Sequence, residues 1–237
     1  MPRSVEFRPG FHAHASGTLW LPDAGALVVA DAHLGYAWAQ RRRGELGPLA
    51  EGGAKAALVA VLEELRPSTV VFAGDLVHAP RPCADERAAI EDTLRAAASL
   101  SSLVVVLGNH DRGLMRDFCG LPVTCMQAWH GDGVTVVHGD RLEFPLPENH
   151  YAVLGHFHPT LPFKDAAGVR RRLRIFLAGR SACILPAFSP FAAGCDLLKI
   201  GLPSGLKGLL GARTPEAVAV TGRSAAAIGP VRRLRFV

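Results

Sequence analysis

Apolar residues in this chain fall into short unbroken runs that alternate with stretches of helical spacing. Ala26–Ala30 (ALVVA) is an apolar run ending at a polar tip, the pattern of a buried strand. In Gly53–Arg66, Leu58, Val61, Leu62 and Leu65 recur at helical spacing, and Pro67 stops the pattern. Thr69–Ala73 predicts a second strand, Asp85–Leu100 a second helix and Leu103–Leu107 a third strand. The order β-α-β-α-β specifies a parallel sheet with covering helices, its strands buried on both faces. Beyond about residue 120 the helical pattern fades. Strand-like runs follow at Val134–His138, Ala152–Leu154, Leu173–Ala178, Leu197–Ile200, Glu216–Val220 and Val231–Phe236, separated by Gly and Pro. These predict a mixed or antiparallel second sheet. No period repeats and no low-complexity linker intervenes, so residues 1–237 are read as one α/β domain of two packed sheets.

The polar tips of these runs carry the chemistry. They read Asp31-Ala-His33, Gly74-Asp75-Leu-Val-His78, Gly108-Asn109-His110-Asp111, His138-Gly139-Asp140 and Gly155-His156-Phe-His158. One Asp or His at a strand end is a cap or a turn residue. Five successive tips supplying Asp, Asn and His are hard to produce by capping, and ligands of open α/β sheets gather beyond the carboxyl ends of strands. The donors are oxygen and imidazole without thiolate, which suits Mn, Fe, Zn, Co or Ni. Seven candidate ligands exceed the need of one tetrahedral ion, and two ions about 3.5–4 Å apart would use them all.

The series D-x-H, G-D-x-x, G-N-H-D, H-G and G-H-x-H, running from Asp31 to His158, resembles the calcineurin-like binuclear metallophosphoesterases. The resemblance implies a four-layer α-β-β-α sandwich of two mixed sheets flanked by helices. It also implies that Asp31, His33 and His158 hold one divalent ion and that Asp75 bridges to a second, completed by Asn109, His138 and His156. His110 would protonate the leaving oxygen, and Asp111 would orient His110 or serve as a turn carboxylate. His78 and Asp140 stand in the motifs without being standard ligands and are read as supporting them. A water acidified between two cations is the nucleophile such a site implies.

Two further stretches, His33-Leu-Gly-Tyr36 followed by Arg41-Arg42-Arg43-Gly44, and Ile184-Leu-Pro-Ala-Phe188-Ser-Pro-Phe191-Ala-Ala-Gly194, resemble one bacterial branch, the PdeM-type phosphoesterases associated with DNA ligase and Lhr-type helicases. That branch implies a manganese-dependent endonuclease acting on single-stranded DNA in repair, with a ligase and a helicase as functional partners. Fe²⁺, Zn²⁺, Ni²⁺ and Co²⁺ fit the same donors. A phosphatase or phosphodiesterase for small nucleotides would use the same core. A non-catalytic scaffold of this fold would show eroded ligands, and none is missing.

Composition adds less. The chain carries 22 Arg and 4 Lys, 10 His and a net charge of +5. Genomic base composition and phosphate binding both account for the arginines. Arg41, Arg42 and Arg43 would steer a nucleic-acid backbone, or form a solvated face, with Tyr36 close enough to stack on a base. Arg170, Arg172 and Arg174 alternate along one predicted strand face. His12, His14, His130 and His150 lie outside the motifs and are read as surface or packing residues. Five scattered cysteines without a CxxC pair, and no signal-like or spanning apolar segment, lead to a cytoplasmic expectation with no membrane partner.

Overall fold

The computed structural model describes residues 1–44, 52–113, 120–165, 167–192, 194–196, 204–211 and 214–231. The predicted β-α-β-α-β unit forms β4 (Ala26–Val29), α2 (Gly52–Leu65), β5 (Thr69–Ala73), α3 (Ala84–Ala98) and β6 (Ser102–Val106), with β4, β5 and β6 parallel. Helix α2 ends where Arg66 turns left-handed at φ 48°, just before Pro67. Helix α3 starts at a capping box in which the Cys83 amide donates to Glu86 Oε2 at 3.3 Å.

The first sheet is wider than expected. β1 (Ser4–Arg8), β2 (Phe11–His14) and β3 (Leu19–Leu21) add an antiparallel meander on one edge, and β7 (Val123–Met126) adds a parallel strand on the other. The meander alternates. Val5, Phe7, Phe11 and Ala13 turn to the core while Glu6 and His12 do not, a period too short to stand out in sequence. A short helix α1 (Tyr36–Arg42) follows the first motif and was also unpredicted.

The second sheet is mixed, as expected. It orders β8 (Trp129–Gly131), β9 (Val134–Val137), β10 (Tyr151–Leu154), β13 (Ala182–Ile184), β12 (Arg170–Ala178), β11 (Pro159–Lys164) and β14 (Cys195–Asp196). β15 (Glu216–Val220) and β16 (Ala225–Pro230) extend from β12. β9, β10 and β13 are parallel. The predicted strand Leu197–Ile200 lies outside the described residues, as do positions 232–236 of the predicted Val231–Phe236; the last described strand falls earlier, at the Ala-rich β16.

Three apolar layers join these elements. Between the sheets, Val28, Val71 and Val106 meet Val136, Val153, Phe176 and Val218. On the outer face of the first sheet, Leu27, Val29, Phe72 and Val105 lie under Leu58 and Leu62 of α2 and Ile90 and Leu94 of α3. On the outer face of the second, Leu154, Ile175 and Ile184 are covered by Leu206 and Leu210 of α4 (Ser204–Leu210) and by Leu142, Phe144 and Leu146. The α-β-β-α order is therefore present, with a thin fourth layer among the described residues. No helix among them is long and apolar enough to cross a membrane.

Phe176 is fully buried between the sheets. Phe176→Ala should cost about 3–5 kcal/mol of unfolding free energy, read as a lower urea midpoint at unchanged slope. Leu100→Ala, on a side chain 44% exposed, should stay within about 0.5 kcal/mol. Equal midpoints for the two variants would contradict the intersheet core.

Candidate metal centre

Because β4 and β5 run parallel, their carboxyl ends emerge side by side, and their pairing continues into the loops. The Asp31 amide donates to Gly74 O at 3.2 Å, His33 to Asp75 O at 2.9 Å, Leu34 to Leu76 O at 2.8 Å and His78 to Leu34 O at 2.9 Å. Within this zipper the backbone turns left-handed at Asp31 (φ 52°), His33 (φ 44°) and Asp75 (φ 48°), and again at His156 (φ 67°) and His158 (φ 42°) in the second sheet. Asp and His tolerate this region better than most residues, yet each such turn carries strain of about 1 kcal/mol or more. Gly74 (φ 78°) adds close approach: a Cβ there would collide with the ring of His138.

Three donor sets result: His33, His78 and His110 form one, and the other two are made of expected ligands. Of these two, Asp31, His33 and His158 form the first, and Asp75, His138 and His156 the second; within each, the donor atoms lie within 4.8 Å of one another. In the second set, His138 Nδ1–H donates to the Ala73 carbonyl at 3.2 Å, so the neutral ring presents Nε2 as its lone pair. That lone pair faces Asn109 Oδ1 at 3.1 Å, His156 Nδ1 at 3.1 Å and Asp75 Oδ1 at 3.4 Å. His156 Nδ1–H can donate to that lone pair, but the amide and carboxylate oxygens beside it can only accept, so their convergence on it suits a cation. In the first set, Asp31 Oδ1 lies 3.1 Å from His158 Nε2. Asp31 Oδ1 and His33 Nδ1 are buried without a hydrogen-bond partner among the described residues. Burial pushes the His33 imidazole down to about 3, which keeps it neutral as a ligand must be. The residues present fit two divalent ions.

Amides hold the carboxylates in place. His156 N–H donates to Asp31 Oδ2 at 2.8 Å, and His110 N–H to Asp75 Oδ1 at 2.9 Å. The His110 ring stands beside the sets, its Nδ1–H on the His78 carbonyl at 2.8 Å and its Nε2 at 3.9 Å from Asp75 Oδ2. The His78 carbonyl thus orients His110, and of the two expected roles Asp111 takes that of the turn carboxylate. Asp111 accepts instead from Gly108 N–H at 2.9 Å and Val77 N–H at 3.2 Å, a buried carboxylate tying the second and third tips together. Burial raises it to about 6, against the pull of those two amides.

His78 supports the site through its carbonyl and through its ring, 5.5 Å from that of His33. Asp140 is exposed and acts on His156 by charge, across a distance that brings no hydrogen bond among those described. An open pocket of about 640 Å³ lined by Arg42, Arg43, His78, Arg81 and His110 adjoins the candidate ligands. Arg41 does not line it, because its guanidinium lies 5.1 Å over the Trp38 ring. Arg42 lines it while pairing at 3.3 Å with the buried Glu86. Arg81 is the basic residue that sequence reasoning missed, and its place three residues after His78 was the available signal. Tyr36 touches the His78 ring edge-on at 4.6 Å. Arg174 is not on an open face: its guanidinium donates to the carbonyls of Ala187 and Phe188 at 3.1 and 3.2 Å. His14 is buried against Ser16 and Glu64, and His130 and His150 share the Thr135 hydroxyl, so these three pack as expected.

A family model described as calcineurin-like phosphoesterase matches residues 26–177, more than half of the chain. Among solved structures, the crystal structure of Pseudomonas putida nuclease MPE superposes with a TM-score of 0.69 at 21% identity, over 95% of this chain and 98% of that one. No curated protein matches.

Saturating Mn²⁺ should stabilise the chelated protein, by about 2.7 kcal/mol at one hundred times the dissociation constant. For a chain of this size that raises the melting temperature by roughly 5–10 °C in a thermal scan. Asp31→Asn should remove most of the increment. An unchanged transition on adding Mn²⁺, Fe²⁺ or Zn²⁺ would refute the metal reading.

Proposed function

The chain belongs to the calcineurin-like phosphoesterase family and is a metal-dependent phosphoesterase; on that premise we propose that it is a manganese-dependent endonuclease for single-stranded DNA. The observation that carries the proposal is the basic pocket holding Arg43, Arg81 and His110 directly beside the two donor sets. The likeness to a protein titled a nuclease supports it. In this reading Asp31, His33 and His158 would hold one ion, and Asp75, Asn109, His138 and His156 the other. When bound, two such ions would supply Lewis acidity at the phosphoryl oxygens and acidify water toward a nucleophile at neutral pH.

The chain's own residues do the rest. With Nδ1–H committed to the His78 carbonyl, His110 can carry an exchangeable proton only at Nε2, the atom turned toward Asp75 and the pocket. A proton held there is delivered to the departing sugar oxygen, which as an alkoxide would be a poor leaving group. Arg43 and Arg81 attract the flanking phosphates, Arg42 sets the wall of the pocket through Glu86, and Tyr36 stands where a base can rest. Asp111 fixes the loops that carry Asp75 and Asn109. The reading extends to a cytoplasmic repair role beside a DNA ligase and a helicase, with residues 1–237 acting as one domain.

Nicking of circular single-stranded DNA with Mn²⁺ tests the proposal; absence of nicking beside rapid turnover of a small or cyclic nucleotide would replace it with a small-molecule phosphodiesterase. His110→Ala should lower kcat on DNA by about 10²–10⁴-fold and lower it far less on a nitrophenyl phosphodiester, whose leaving group needs no proton. The Mn²⁺-induced thermal shift should survive in this variant. Log–log plots of cleavage against salt should fall steeply, and Arg81→Ala should flatten the slope by about 0.7. A slope unchanged in Arg81→Ala would remove that residue from the phosphate path.

A further inference from the structure

Phe191 is the one aromatic among the exposed large hydrophobic side chains described, at 38% exposure, whereas Phe188 of the same segment is 5% exposed and packed in the core. Its ring lies nearly parallel to Tyr36, at 5.7 Å between centroids and 16° between planes. The chain's other described ring contacts of this kind are mostly tilted or edge-on, and a parallel pair leaves a flat outer face. Tyr36 is held on two sides, by the His78 ring at 4.6 Å and by Gln40 Nε2–H on its hydroxyl at 3.0 Å. The Phe191 segment is pinned to the metal motif itself: Phe188 N–H donates to Ala30 O at 2.8 Å, Ser189 N–H to Asp31 O at 3.3 Å, and Phe191 N–H to Ser189 Oγ at 3.4 Å. The rings His110, His78, Tyr36 and Phe191 thus form one continuous row leading away from the proton donor.

We propose that Phe191, backed by Tyr36, is a platform on which an unpaired base flanking the scissile phosphate stacks, and that it selects single strands over duplexes. The proposal rests on the nucleic-acid reading above. A base in a duplex is already stacked on both faces and has none to offer, whereas a base in a single strand has a free face. Stacking on an aromatic side chain is tolerant of base identity, so the platform selects strandedness and not sequence. Because the pair is already fixed, little ordering is lost when a base arrives. The phosphates of the same strand then fall toward Arg43 and Arg81, which line the pocket that His78 shares.

The test compares a single-stranded oligonucleotide with the same strand made abasic around the cleavage position, using the full chain loaded with Mn²⁺. The unmodified chain should prefer the strand with bases by about tenfold or more in kcat/KM. In Phe191→Ala, cleavage of that strand should fall to the level of the abasic one, and Phe191→Trp should restore the preference. Emission from 2-aminopurine beside the cut should be quenched on binding, and the quench should be lost in Phe191→Ala. Equal cleavage of both strands by the unmodified chain, or a full preference and quench in Phe191→Ala, would overturn the platform and leave the nuclease reading standing. Failure to cleave either strand with Mn²⁺, Fe²⁺ or Zn²⁺ would remove the nuclease reading and the platform together.

Discussion

The bare lone pair of His138 Nε2, facing an amide oxygen, a carboxylate oxygen and another imidazole, is the constraint around which this molecule is arranged. Asp31 and Asp75 are almost wholly buried beside it. Withdrawing a carboxylate from water costs several kcal/mol after relaxation, and a backbone amide on one oxygen offsets only part of that. Each aspartate receives such an amide, from His156 and His110, and each then presents its remaining lone pairs to imidazoles. Divalent cations are the partners that such a set of acceptors lacks.

Holding that set together explains the backbone around it. Five of the expected ligands sit in left-handed turns. Summed at about 1 kcal/mol or more each, their strain is comparable to a large fraction of a domain's net stability. It persists because the loops are over-determined by other contacts. The β4 and β5 tips are zipped together, Asp111 clamps the second tip to the third, and the Phe188–Ser189 segment bonds back to Ala30 and Asp31. Arg174 reaches across from β12 to hold that segment's carbonyls. The two sheets are thereby joined at the site by polar contacts as well as by the apolar layer beneath it.

The order of strands, the two crossover helices and the seven candidate ligands were legible because each signal is local: an apolar run, then a tip of ligand-type residues. The structure brings those tips together in two sets. What was not legible depended on direction. Asp111 follows His110 in sequence, yet its carboxylate turns back to Gly108 and Val77, and a backbone carbonyl takes the place expected for it. Nothing in a G-N-H-D string distinguishes these outcomes. The β1–β3 meander was hidden because its strands are short and half-exposed, so the alternation never spans enough residues to register. Helix α4 and the apolar side chains of residues 142–146 owe their burial to an outer sheet face that exists only after folding.

The arginine excess is divided by position in a way that composition cannot express. Arg3 pairs with Glu64 and Arg171 with Asp165, at exposed sites where such pairs contribute little. Arg42 meets a wholly buried Glu86 that also accepts from the Cys83 amide, so this pair ties α1 to the start of α3. Arg174 serves carbonyls and Arg41 an aromatic ring. Among the described residues, Arg43 and Arg81 line the pocket beside His110, and no such contact is described for either. The net charge of +5 is therefore a poor guide to attraction for phosphate. A focused field from two guanidinium groups beside a cation-binding cluster attracts anions more effectively than the same charge spread over the surface.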